Sequence, residues 1–163
     1  DNNRLTALQF ILLHEIAHIL AIGENVHPGW DFPKEVNLVE FPFMAVSWTF
    51  SEGQFKRDDK YDDFALPEIR YYASRSEKKD ADEIQKIYTG LEHSPFVTLY
   101  ASTNPYDDFA ETFATYVHSQ VMGRPYRVEI LNSGAITKTF QLCFGEARCG
   151  QKEILIKEFY EQL

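Results

Sequence analysis

Several features that would place this chain at once are scarce or missing. Positive charge is scarce: 16 lysines and arginines stand against 25 acidic residues, giving a net charge of −9 and a pI near 5.0. That balance argues against nucleic acid and anionic membrane surfaces as partners, and basic or neutral substrates approach it more easily than acidic ones. Long apolar runs are missing as well. The best, Phe10 to Ile22, is broken by His14, Glu15 and His18, so no membrane span of about 20 apolar residues is expected. Cysteine is reduced to Cys143 and Cys149, separated by five residues that include Gly145 and with no histidine nearby. The pair suits a short-loop disulfide better than a redox Cys-x-x-Cys or a metal site, and the bridge implies an extracytoplasmic compartment, secreted or in a bacterial periplasm or cell envelope. Internal repeats, low-complexity tracts and a phosphate-cradling glycine loop are absent too. The first residue is Asp1, not methionine, as expected of a mature or trimmed product.

What is present fits one soluble globular domain over residues 1–163 with a sizeable core, since 44% of residues are hydrophobic and 25% charged. Aromatic residues are abundant, at 13 Phe, 9 Tyr and 2 Trp. Many lie between Phe32 and Phe64, where they serve either a core or a ligand cleft.

The most informative stretch is His14-Glu15-Ile16-Ala17-His18, inside the apolar run from Leu5 to Ile22. On an α-helix, residues four apart share a face one turn apart, so the two imidazoles can converge on one cation beside the Glu15 carboxylate. Neutral imidazole is a good zinc donor, and a catalytic zinc keeps one position for water, whose pKa falls to about 7. A carboxylate at position 15 can then act as general base. Two histidines lining a core are the alternative. The helical pattern around them has caps within reach in the leading asparagines, Thr6 and Gln9, and a stop at Gly23.

From Glu24 to Lys60, Pro28, Gly29, Pro33, Pro42 and Gly53 interrupt any helical period, so loop with short extended pieces is expected, the best being Phe43 to Phe50. A wall of the substrate cleft, with a strand edge open to an extended peptide, is one use for such a region. His27, nine residues after His18, does not extend the motif. A metzincin needs glycine at position 21 and histidine at 24, where this chain has Ala21 and Glu24. It reads as a loop histidine. Asp58 to Asp63 is turn-like, Leu66 to Ala73 a short helix or strand. Asp80 to Leu91 reads as an amphipathic helix with Ile84, Ile87, Tyr88 and Leu91 on one side.

A second informative stretch runs from Phe96 to His118. Asn104 can cap a helix that starts at Pro105 and carries Phe109, Phe113, Tyr116 and Val117 on one face, ending at Gly123 and Pro125. Asp107 and Glu111 fall about 40° apart on it, one turn along the axis, while Asp108 points about 100° away from Asp107. One acid as a third metal ligand and the other as support for a ligating imidazole explains the pair. An acidic first turn favoured by the helix dipole explains it as well. His118 shares the face but lies about 16 Å along the axis from Asp107, outside the same coordination sphere.

The two motifs together, His14-Glu15-x-x-His18 and Asn104-Pro105-Tyr106-Asp107-Asp108-Phe109-Ala110-Glu111-Thr112, resemble those of gluzincin-type zinc metallopeptidases. These include bacterial proteins with an E-D-W-A-E-T or E-F-F-A-E second motif, the latter in lethal-factor-like peptidases. The resemblance implies a zincin-like domain in which His14, His18 and Asp107 hold Zn2+, Glu15 is the general base and later the proton donor, and Glu111 supports a ligand. Tyr100, seven residues before Asp107, matches the tyrosine that donates a hydrogen bond to the developing oxyanion; a buried core aromatic is its other reading. Glutamate is usual where this chain has Asp107, so the second helix must approach by about 1 Å more. With that shorter arm, Glu111 as the ligand instead also stays open.

Beyond Pro125, Tyr126 to Leu131 and Ala135 to Leu142 flank Asn132-Ser133-Gly134 as a hairpin, and Gln151 to Leu163 forms a closing helix. The reading is thus an α+β, mainly helical domain with a small sheet and a C-terminal hairpin. Its expected activity is zinc-dependent hydrolysis of a peptide or protein substrate. The rival is a catalytically idle zincin-like domain that binds a protein or peptide partner through the aromatic-rich cleft.

Overall fold

A computed structural model describes residues 3–29, 34–64 and 81–163; the expected element at Leu66 to Ala73 lies outside them. The architecture is mixed helix and strand, as expected. Among the described residues there are five α-helices and two antiparallel two-stranded sheets.

The long first helix, α1, spans Arg4–Gly23 and is capped by Asn3, whose side chain accepts the Thr6 N–H. The helix ends at Gly23, as expected, although the left-handed residue that follows is not glycine. The chain leaves the helix at Asn25, which takes the left-handed conformation (φ 52°), while the Val26 N–H reaches back to the Ala21 carbonyl. Asparagine tolerates that conformation better than most residues. Over eighteen residues the mean hydropathy of α1 reaches 1.7, so by length and composition alone it is apolar enough to cross a membrane, a test that a core helix or a signal sequence near the N-terminus also passes.

The expected extended piece at Phe43 to Phe50 is corrected in its first half. Pro42 sits at the first position of a one-turn helix, α2 (Pro42–Ala45), where its fixed φ and missing N–H cost nothing. Strand β1 (Trp48–Ser51) then pairs with β2 (Gln54–Arg57) in register Trp48 with Arg57. The aromatics of this region divide their roles: Phe43 and Trp48 are buried in the core, while Phe50 and Phe55 pack on one another at 4.9 Å. The turn-like stretch is a 3-10 helix, Asp59–Phe64.

Helix α3 is Ala81–Leu91, with Ile87 and Leu91 turned into the core. Helix α4 is Pro105–Tyr116, continued by a π-helical turn, Val117–Val121. Gly123, at φ 64°, ends it, and the Arg124 N–H closes onto the His118 carbonyl. The hairpin pairs β3 (Arg127–Asn132) with β4 (Ala135–Gln141); Ser133 and Gly134, both at positive φ, form the turn that glycine makes possible. A disulfide joins Cys143 to Cys149, with Cα atoms 5.7 Å apart. It leads into α5, Gly150–Glu161.

Two apolar clusters hold these elements. One gathers Ala17 and Ala21 of α1, Phe43 of α2, Phe109, Ala110, Phe113 and Tyr116 of α4, and Ile156 of α5. The other packs Trp48, Leu91, Phe96, Val97 and Ala101 around the disulfide. Alanine at positions 17, 21 and 110 lets α1 and α4 approach closely, so a short aspartate arm on α4 reaches the histidines of α1.

Candidate metal centre

Four side chains from α1 and α4 meet where the two helices pack. His14 and His18 present their Nε2 atoms 3.1 Å apart. Asp107 places Oδ1 3.5 Å from the first and 3.4 Å from the second. Zinc held tetrahedrally at 2.0–2.1 Å from each donor requires donor-to-donor distances of about 3.3 Å. His14, His18 and Asp107 therefore form a group that can hold a metal ion, and the N, N, O donor set suits a borderline cation.

Glu111 stands outside that triangle. Its Oε1 accepts the His14 Nδ1–H at 2.8 Å, on the side of the ring away from Nε2, so Asp107 and not Glu111 belongs to the group that could hold an ion. The bond leaves the lone pair of a neutral His14 on Nε2, where a cation needs it. Its other oxygen accepts the Thr98 hydroxyl at 2.7 Å, and Thr98 in turn accepts the Ala101 N–H at 3.0 Å. Asp107 is held as firmly, since Asn104 donates to its Oδ2 at 2.5 Å. Asn104 thus caps α4 through the Tyr106 and Asp107 N–H groups and aims Asp107 as well.

The electrostatics match a cation site. Burial disfavours the charged form of His14, but hydrogen bonds to Asp107 and Glu111 and their negative charge outweigh it, so its pKa is raised to about 9. Burial likewise pushes Asp107 up, and contacts with His14, His18 and Asn104 reverse that and hold its carboxyl well below the usual range. The hollow stabilises positive charge.

Tyr100 lies at the rim, its ring centroid 5.7 Å from that of His14. Glu15 is exposed, about 60° round α1 from His18. The structure brings Tyr100 to the donor group and leaves Glu15 open to solvent beside it. His27 is not in the group. It is buried against Tyr106 at 4.7 Å, and its Nδ1 donates to the Pro28 carbonyl at 3.0 Å. His118 is also buried elsewhere, edge-on to Phe10.

Sequence reasoning missed two supports of the site. Thr98 carries no motif signal, because its partner lies thirteen residues ahead. Asp108, set aside because it points away from the donors, is the acceptor of a buried network: Lys152 Nζ at 2.7 Å from Oδ1, Trp48 Nε1 at 2.8 Å and Ser47 Oγ at 3.1 Å from Oδ2. A lone lysine in the first turn of a polar-looking closing helix offered no hint of this. Compared with known proteins, the chain matches no protein-family model, no curated protein and no solved structure.

Proposed function

We propose that this protein is a zinc-dependent peptidase of the gluzincin type, folded as a zincin-like domain, that hydrolyses peptide bonds of a peptide or protein substrate. The observation that carries the reading is the triangle of His14, His18 and Asp107 donor atoms at 3.1–3.5 Å, with one imidazole fixed from behind by Glu111. A structural zinc site is usually closed by four protein ligands and often uses cysteine; three ligands beside a solvent-facing carboxylate favour catalysis. The disulfide is compatible with work outside the cytoplasm.

His14, His18 and Asp107 would hold the zinc, which would supply Lewis acidity toward the scissile carbonyl and toward water. Glu15 would accept a proton from the attacking water and return it to the departing amine. Tyr100 donates its hydroxyl hydrogen bond to the oxygen that gains negative charge. Glu111 and Thr98 keep the His14 ring in one orientation, and Asn104 does the same for Asp107.

The decisive experiment loads the chelator-treated protein with zinc, measures the metal bound per chain, and incubates it with a varied peptide library read by mass spectrometry. One zinc per chain and new cleavage products are expected. Glu15→Gln should retain the zinc and lose at least about 10²-fold in turnover. A Glu15→Gln protein that cuts as fast as the wild type removes Glu15 from the mechanism, and zinc-loaded protein that cuts nothing removes the peptidase reading.

A further inference from the structure

A cavity of about 210 Å³ lies between α3, the β3–β4 hairpin and the segment that leads into α4. Tyr88, Tyr126, Val128 and Phe140 wall it, and none of His14, His18 and Asp107 lines it. What it does reach is the support behind the His14 ring. Thr98 and Glu111 border the cavity. Glu111 accepts the His14 Nδ1–H at 2.8 Å, and Thr98 donates to the other Glu111 oxygen at 2.7 Å. A molecule in the hollow therefore touches the groups that orient one donor without entering the donor group.

The lining fixes the class of molecule that fits. Tyr88 and Phe140 pack ring on ring at 4.9 Å, and cavities of about 150 Å³ with aliphatic and aromatic walls admit benzene, so one six-membered ring has room. Among the described residues, neither lysine nor arginine lines the cavity, so an anion beside Glu111 would lose its hydration with no cation to replace it. An ammonium group finds both Glu111 oxygens engaged. Two donors, however, await a partner: among the described residues, the Tyr88 and Tyr126 hydroxyls make no hydrogen bond. Burial raises the pKa of both phenols, and the Glu111 charge raises that of Tyr126 further, so both keep their protons at neutral pH. An uncharged ring bearing a carbonyl oxygen satisfies this lining, ring against rings and oxygen against a phenol.

We infer that the cavity is a regulatory site for a small uncharged aromatic compound with a carbonyl acceptor, and that its occupant tightens the hold of Glu111 on His14. Water entering the hollow competes for the Glu111 oxygens. An occupant excludes it, and hydrogen bonds are stronger where water is excluded. His14 is then fixed more firmly for a cation at Nε2, so filling the cavity and filling the donor group favour one another. The effect on zinc rests on the reading proposed above; binding in the cavity does not.

Benzamide is the probe. At millimolar concentration it should shift the ring resonances of Tyr88, Tyr126 and Phe140 in the metal-free protein, whereas benzoate and benzylamine should not. Tyr88→Phe with Tyr126→Phe removes both donors and should weaken benzamide binding at least about threefold. Val128→Trp, on β3 opposite Phe140, fills the hollow and should abolish it. Titrated against a competing chelator, zinc should bind at least about fivefold more tightly in saturating benzamide, and zinc should tighten benzamide by the same factor. No benzamide binding, benzoate bound as well as benzamide, or binding that both variants leave unchanged overturns the site. Benzamide that binds and leaves zinc affinity unaltered overturns its regulatory role. A protein that binds benzamide but takes up no zinc overturns the regulation together with the metal reading. Benzamide that tightens zinc in a protein that cuts no peptide upholds the site and overturns only the peptidase.

Discussion

At the scale of single residues, the site separates atoms that could hold a cation from atoms that orient those donors, and substitutions should separate them too. If the group binds zinc as proposed, Asp107→Ala should remove a donor and lower zinc affinity by at least about tenfold. Glu111→Ala leaves all three donors but frees the His14 ring, and outer-shell losses of this kind cost on the order of 10–100-fold in affinity. Glu111→Gln keeps an acceptor for the Nδ1–H and should fall between Glu111→Ala and the wild type. Titration against a competing chelator checks the order, and a Glu111→Ala protein with wild-type affinity would show that His14 needs no support. A second residue-scale consequence concerns His118. Burial lowers its pKa from the ordinary 6.5, and the nearby Arg124 charge lowers it further. The unfolded chain therefore binds a proton that the folded chain resists, so this contribution to stability is present above pH 6.5 and is lost as pH falls through the depressed folded value. His118→Asn should flatten that part of the stability curve between pH 7 and 5, measured as denaturation midpoints against the wild type at each pH. An unchanged curve would mean that His118 titrates in the folded protein as it does in the unfolded chain.

At the scale of elements, the site depends on how α4 is seated, and Asp108 seats it. Asp108 and Lys152 are both fully buried, so burial pushes the carboxyl up and the ammonium down, while their ion pair opposes both shifts. The Lys152 ammonium also lies 4.4 Å from the Phe96 ring centroid, so one cation ties α5 to α4 and to the segment before it. Lys152→Met leaves an uncompensated carboxylate in the core and should cost about 3–5 kcal/mol, with zinc affinity falling as α4 loosens; Asp108→Asn with Lys152→Met should recover much of the loss. Denaturant titration of both variants tests this, and equal stability of the single and double variants would sink it. The contrast with Asp107 explains what was legible in the sequence. Helices α1 and α4, the Asn104 cap and Gly123 stop of α4, the hairpin around Gly134 and the His-Glu-x-x-His spacing are local patterns, written within a turn or two of chain. The partners of Asp108, Thr98 and Ser47 lie 13 to 61 residues away, and no periodicity encodes such a meeting. Pro42 misled for a related reason: punctuation marks a break in the chain without saying that a helix turn starts there.

At the scale of the whole molecule, the two faces of α1 have different fates, though the sequence makes both apolar. The inner face carries His14, Ala17 and Ala21 against α4, all buried. The outer face exposes Leu5, Leu8, Ile11, Leu12, Ile16, Ile19 and Ile22, with Leu5 78% and Ile19 69% accessible. An apolar pattern all round a helix is the mark of a buried one, so the sequence alone cannot tell which half meets the core. In the folded chain, seven large apolar side chains in a band along one helix form a patch of the size that soluble monomers rarely leave uncovered. The exposure has a measurable consequence. If the band faces water in the isolated protein, Leu8→Gln with Ile19→Gln deletes no core contact, and each change should alter stability by no more than about 0.5 kcal/mol. Buried Leu or Ile truncated in a core would cost about 2–5 kcal/mol instead. The same pair of changes should reduce binding of a hydrophobic dye to the native protein and leave zinc content unchanged, since neither residue touches the donor group. Denaturant midpoints and dye fluorescence, read on one preparation, distinguish the cases: a loss of several kcal/mol would mean that in solution this face is packed against something, and that α1 is enclosed on both sides.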